Sequence, residues 1–152
     1  MTGFEAPVVR QNWNRATERD WAEVLARLPL FSGIGRRRLR KLARQARFAE
    51  FAPGEHVVST GDRGDAFYVI LGGTAKALKP EARTLGPGDY FGEISLLDGK
   101  PRSATVVATE ELHVMRLPRR TFRWLIAKNG DVALTLLTEL GERLRRLERE
   151  AA

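Results

Sequence analysis

Cysteine is absent from this chain of 152 residues, so neither a disulfide nor a thiolate metal site can form. Histidine occurs only as His56 and His113, each isolated on an expected strand. Metal-assisted phosphoester hydrolysis needs clustered His and Asp, and a metal-binding roll needs paired histidines. No enzyme activity and no metal are therefore expected. No apolar run approaches the length that crosses a bilayer, and no basic and apolar leader opens the chain. A cytoplasmic location and no membrane span are expected.

What is present suits one hydrophobic core. At 43% hydrophobic residues the chain can bury one core but hardly two. The net charge of +7 is unevenly spread: residues 1–50 carry 11 basic and 5 acidic groups, residues 51–117 carry 7 and 9, and residues 118–152 carry 8 and 5. Basicity lies outside the middle of the chain. Its densest run, Arg36-Arg37-Arg38 with Arg40, Lys41, Arg44 and Arg47, interleaves with Leu39, Leu42, Ala43 and Ala46 at helical spacing. That pattern describes an amphipathic helix with a wet basic face, although such a face also attracts nucleic acid, an acidic partner or an anionic membrane.

Periodicity divides the chain into helix, sheet and helix. Residues 1–16 show none and are read as a flexible tail. Thr17 is a plausible N-cap for a helix through about Leu28, which Pro29 stops, and a second helix runs from about Gly35 to Gln45. Short runs then follow between turn residues: Val57-Val58, Ala66 to Leu71, Thr74 to Leu78, Ser103 to Ala108 and Leu112 to Leu117. Such spacing indicates an antiparallel roll or barrel of jelly-roll type. Beyond Pro118 the helical period returns, with Phe122, Leu125 and Ile126 on one helix. Asn129-Gly130 breaks it, and Asp131 caps the next. The expected fold is α+β: a β-roll of about eight strands over 47–117, helices over 17–46, and two C-terminal helices over 119–150. These form one domain over 17–152.

Leu134, Leu137, Leu140, Leu144 and Leu147 recur at spacings of three or four on the last helix, and such a stripe must be covered. Simple packing on the roll is one reading. The other is a homodimer seam, because Leu137, Leu140, Leu144 and Leu147 follow an a/d rhythm.

The chemistry concentrates in Phe91-Gly92-Glu93-Ile94-Ser95-Leu96-Leu97 and Pro101-Arg102-Ser103-Ala104-Thr105. Gly92 lets backbone come close to a ligand and can open a short helix whose first N–H groups attract an anion. Arg102 supplies a permanently charged planar fork that holds two phosphate oxygens. Glu93 has the wrong sign for a phosphate, so its natural task is to accept a hydrogen bond from a sugar hydroxyl. Ser103 adds a hydroxyl donor, and Pro101 removes a donor where the chain turns in. The pattern suits a small ligand with a ribose hydroxyl and a phosphate.

These two runs resemble the phosphate-binding cassette of the cyclic nucleotide-binding domain family, which includes catabolite-activator regulators, kinase regulatory subunits and cyclic-nucleotide-gated channels. Turn glycines at Pro53-Gly54-Glu55, Gly61-Asp62, Gly64-Asp65, Gly73 and Leu85-Gly86-Pro87-Gly88-Asp89 extend the likeness from about Leu28 to Leu147. The resemblance implies that Glu93 binds the ribose 2′-hydroxyl, that Arg102 binds the cyclic phosphate, and that backbone near Gly92, Ser103 and Ala104 completes the cradle alongside Ile94 and Ser95. It also implies that the last helix folds over the base as the moving part. Leu147 falls where some members place a polar residue that reads adenine; Leu144 lies beside it, and Arg143 or Arg146 can stack on the base instead. Ala77 and Leu85 look like pocket walls. Ser103, where some cGMP-selective members carry threonine, leans toward cAMP. The expected ligand is thus cAMP or cGMP, with an unidentified protein effector as the output. Direct DNA binding is not expected, because no recognition helix follows the last leucine. A degenerate roll that docks protein or nucleic acid is the alternative.

Overall fold

The computed structural model describes residues 17–78 and 82–151; the segment read as a tail, 1–16, lies outside the described residues. Helix α1 (Glu18–Ala26) begins at a reciprocal cap. The Asp20 N–H donates to Thr17 Oγ1 at 3.2 Å, and the Thr17 N–H donates to Asp20 Oδ2 at 2.8 Å. Two N–H groups that a helix start leaves unpaired are thereby satisfied. Pro29 does not simply stop the chain. It opens a one-turn 3₁₀ helix, Pro29–Phe31, because its fixed φ suits a first helical position and its missing N–H is not needed there. Helix α2 (Arg36–Gln45) follows, burying Leu39, Leu42 and Ala43 and exposing its arginines.

Among the described residues, eight antiparallel strands form two four-stranded sheets. They are β1 (Arg47–Phe51), β2 (His56–Val58), β3 (Ala66–Gly72), β4 (Ala75–Ala77), β5 (Arg83–Leu85), β6 (Tyr90–Phe91), β7 (Val106–Ala108) and β8 (Leu112–Pro118). One sheet has the order β1-β8-β3-β6 and the other β2-β7-β4-β5. The short helix α3 (Glu93–Asp98) joins β6 to the loop before β7, and α4 (Arg119–Lys128) and α5 (Gly130–Ala151) close the chain. The expected roll with flanking helices is the observed architecture.

The central strand β3 explains how one sheet serves two cores. Successive strand side chains point to opposite faces. Phe67, Val69 and Leu71 therefore join the cluster under the helices, while Ala66, Tyr68 and Ile70 join the interior of the roll. Its neighbour β8 divides in the same way, with Met115 and Leu117 toward the helices and Leu112 and Val114 toward the roll. A strand buried on both faces reads as an unbroken apolar run. Phe67 also holds two elements together: its ring lies 4.7 Å from that of Phe122 on α4 and 5.5 Å from that of Tyr90 on β6.

The C-terminal helices depart from the sequence reading in two respects. Asp131 lies inside the first turn of α5, not at its cap. The break falls on Asn129, whose Nδ2 donates to Leu125 O at 2.9 Å while its carbonyl oxygen accepts from Arg38 at 2.9 Å. The leucine stripe is not packed on the roll either. Leu134, Leu137 and Leu144 are 63%, 65% and 58% exposed and Leu147 is 36% exposed, while Val132 and Leu136 make the buried contact. α5 stays tied to the roll further along, through Glu139 and Arg143 and the half-buried Leu140 between them, whereas Leu134, Leu137 and Leu144 face away from it.

Candidate functional site

Gly92 is the cap of α3, with φ of +91°, a conformation natural only to glycine. The space is closed to a side chain as well: a Cβ there would stand 2.7 Å from Arg102 Nη1 and 3.1 Å from Ala66 O. Backbone and guanidinium touch because nothing intervenes. Gly64 gives way in the same fashion, since a Cβ on it would meet Ser95 Oγ at 2.2 Å.

Arg102 is 5% exposed. Its Nη1 donates to Gly92 O and to Ser95 Oγ, both at 2.9 Å, and its Nη2 donates to Ala66 O at 2.6 Å. Among the described residues, three of the five N–H groups are engaged in this way; those on Nε and the second on Nη2 share the remaining edge of the plane. Burial lowers the Arg102 pKa, with Tyr68, Asp65 and Glu93 opposing. The Tyr68 ring centre lies 5.8 Å from the guanidinium carbon and stacks on Phe91 at 5.0 Å. From behind, Arg116 Nε donates to Tyr68 Oη at 3.1 Å and Arg119 Nη2 to Gly64 O at 2.9 Å.

Glu93, the first residue of α3, is 3% exposed. Burial pushes its carboxyl up, while its own backbone N–H, Arg143 and Arg83 pull it down and Glu139 adds to the rise. Arg143, arriving from α5, donates to Glu93 Oε1 at 3.1 Å. A second link lies beside it, where the Tyr90 hydroxyl donates to Glu139 of α5. Burial first, and then that carboxylate, hold the Tyr90 hydroxyl far above the usual phenol range.

A cleft of about 470 Å³, open to solvent, runs between these groups; it is lined by Gly92, Glu93, Ile94, Ser95, Arg102, Ser103, Ala104, Ala77 and Arg143 among the residues expected from sequence. Leu85 is buried in the roll instead and walls an adjoining hollow of about 590 Å³ that shares Arg83, Glu93 and Arg143 with the cleft. Leu144 and Leu147 are exposed on α5 and lie outside the lining of the cleft. Arg143, expected to stack on the base, ion-pairs with Glu93. The sequence reading omitted Val58, Arg83, Phe91 and Val106, which also line the cleft. A signal existed for Arg83, which lies two residues before Leu85 and so shares its face of β5. Among the described residues no group of three His, Cys, Asp or Glu could hold a metal ion. No helix among them is long and apolar enough to cross a membrane.

Comparison with known proteins follows the same lines. A family model described as the cyclic nucleotide-binding domain matches residues 48–129. The chain is 31% identical over 137 residues to the CRP-like cAMP-activated global transcriptional regulator of Mycobacterium tuberculosis, covering 86% of this chain and 61% of that one. It is 38% identical over 106 residues to the cAMP-dependent protein kinase regulatory subunit of Emericella nidulans, covering 67% and 26%. The crystal structure of the catabolite activator protein of Thermus thermophilus superposes with a TM-score of 0.69 at 33% identity, covering 81% of this chain and 61% of that one. The chain thus spans about three-fifths of the regulators' length and about a quarter of the kinase subunit's.

Proposed function

This chain belongs to the cyclic nucleotide-binding domain family, and from that premise we propose that it binds a cyclic mononucleotide in the cleft between the roll and α5 and reports occupancy through that helix. The observation that carries this reading is the placement of two buried opposite charges, Arg102 and Glu93, on one cleft beside Gly92. The unengaged edge of Arg102 is a fork for two phosphate oxygens. Glu93 uses Oε1 for Arg143, and Oε2 is the acceptor for a sugar hydroxyl. The backbone of Ser103 and Ala104 closes the cradle, with Ile94, Ser95 and Ala77 around it.

Switching follows from the two links to α5. A ligand hydroxyl that joins the Glu93–Arg143 bridge favours the docked helix over the open one, and differential affinity shifts the population. Converting a mostly open helix to a mostly docked one needs a preference of about 5 kcal/mol, within reach of several charge-assisted bonds together with base burial. cAMP is the expected ligand: Ser103 takes the position of the threonine in cGMP-selective members, and both curated relatives carry cAMP in their names. Guanine has one observation in its favour. Arg83 lines the cleft, and a guanidinium can donate to both O6 and N7 of guanine, whereas adenine presents an amino donor there.

The output is a regulatory contact, not catalysis. The exposed Leu137, Leu144 and Leu147 of α5, with the half-buried Leu140 between them, suit a second copy of the chain, since the four keep the a/d rhythm. A protein effector remains the partner of the switched state. Titration calorimetry of the chain with cAMP and with cGMP tests the reading: saturable heat from either supports it, and tighter binding of cAMP supports the selectivity. Silence with both would leave a degenerate roll that docks other molecules.

A further inference from the structure

The fold brings together two basic helices that the sequence keeps far apart. Lys41 Nζ on α2 lies 4.5 Å above the Trp124 ring of α4, and Arg38 Nη1 donates to Lys128 O at 2.8 Å and to Asn129 Oδ1 at 2.9 Å. α2 carries six Lys or Arg and α4 four, and neither contains Asp or Glu. The acid-free stretches run further still, over 24–49 and 112–130. Read from sequence, α2 is an amphipathic helix with a solvated face. Placed beside α4, its basic face borders a second helix without acidic residues.

Some of that charge is neutralised at the α1 side, where Arg36 pairs with Glu23 and Arg44 approaches Glu18 at 3.8 Å. Arg37, Arg40 and Lys41 are exposed and have no carboxylate partner among the described residues. A groove of about 1220 Å³, open to solvent, is lined by Gly35, Arg37, Arg38, Lys41, Arg44 and the half-buried Trp124.

We propose that this two-helix face docks single-stranded nucleic acid, with phosphates held by Arg37, Arg40 and Lys41 and a base stacked on Trp124. Three observations select this partner. The large exposed hydrophobic side chains among the described residues are Leu78, Leu97, Leu134, Leu137, Leu144 and Leu147. None belongs to α2 or α4, and the half-buried Trp124 is the single large apolar side chain lining the groove, too little for the apolar face of a membrane-bound helix or the apolar centre of a protein interface. Charge of one sign without a carboxylate suits a repeating phosphate chain, which is read without regard to sequence. An indole among guanidinium groups is a stacking platform, which a single strand uses and a closed duplex does not. When Lys41 moves from the indole to a phosphate, a base can take its place.

The test is fluorescence anisotropy of a labelled oligothymidylate, with a duplex of equal length, polyglutamate and phosphatidylserine vesicles in parallel. Three phosphate contacts predict saturable binding that falls with a log–log salt slope of about −2. The combined Arg37→Gln, Arg40→Gln and Lys41→Gln variant, at exposed positions and with the helix propensity retained, weakens binding more than tenfold at an unchanged melting temperature. Trp124→Phe weakens the oligonucleotide several-fold and the other polyanions not at all. Absence of binding at low salt, undiminished binding by the triple variant, or equal or tighter binding of duplex, polyglutamate or vesicles overturns the proposal. The cyclic nucleotide titration is unaffected by any of these results, because none of the substituted residues lines the cleft.

Discussion

Arg143 reaches across 50 residues of sequence to donate a 3.1 Å hydrogen bond to Glu93, joining the last helix to the first residue of α3. With one oxygen of a buried carboxylate held in this way, a ligand bound at the other bears on the position of α5. Arg143→Ala should weaken cAMP binding about tenfold, the range of one hydrogen bond to a charged group. It should also abolish ligand-induced amide protection along α5 in hydrogen exchange. Retained protection would separate the helix from the site.

Arg102→Ala removes the buried guanidinium beside Gly92 together with donors to Gly92 O, Ala66 O and Ser95 Oγ. Two lost bonds to a phosphate, at about 1.5–3 kcal/mol each, predict a fall in affinity of at least about 100-fold. The orphaned carbonyls lower the melting temperature even without ligand. Calorimetry and a melt read the two effects separately, and unchanged affinity would count against the assignment of the phosphate to Arg102. Arg102→Lys, a point charge in place of a fork, recovers only part.

The carboxyl of Glu93 titrates above its ordinary value of 4.5 because burial disfavours the charge. The folded chain therefore keeps this proton to higher pH than the unfolded chain. Its contribution to stability is full below about pH 4.5 and declines as pH rises from 4.5 through the raised folded value. Glu93→Gln cannot titrate, so the melting temperature of the parent should fall relative to that of the variant from pH 4 toward neutrality. A constant difference would show that the carboxyl is not perturbed.

Gly64→Ala places a methyl group 2.2 Å from Ser95 Oγ and 3.5 Å from the Arg102 guanidinium carbon. Ser95 must shift, and Arg102 loses one of its supports. Weaker ligand binding, by about tenfold if one bond to the guanidinium is lost, is expected with native circular dichroism. An affinity equal to the parent would show that Ser95 moves without consequence.

Leu137→Glu with Leu144→Glu tests the seam on α5. Both positions are exposed in the single chain, so the monomer loses little stability, about 0.5 kcal/mol or less per site. Sedimentation should give a dimer for the parent and a monomer for the variant. A monomeric parent would remove the second copy as the cover for these leucines.

What was legible in the sequence divides by range. The strand β3 announced itself because burial on both faces leaves no polar residue between Ala66 and Leu71. β5 and β6 did not, since Arg83-Thr84-Leu85 offers a single apolar residue and β6 has only two residues, too little pattern to register. The pairing of Gly92 with Arg102 was readable as a motif because both contacts lie within a dozen residues. The faces of α5 were not. Whether Leu144 or Arg143 meets the cleft depends on how a helix of 22 residues is rotated about its axis, and the leucine stripe marks an apolar face without saying whether the roll or another partner covers it. The basic surface was invisible for the same reason, as its halves meet only through the fold.

The two residues of β6 point opposite ways. Phe91 walls the cleft and Tyr90 holds Glu139 of the last helix. On the proposed reading, the wall that meets the ligand and the link that holds the last helix are thus neighbours along the chain, separated by a single peptide unit. Reshaping the Phe91 side to admit a different base is then expected to alter the hold on that helix as well, so that recognition and output would not be redesigned independently.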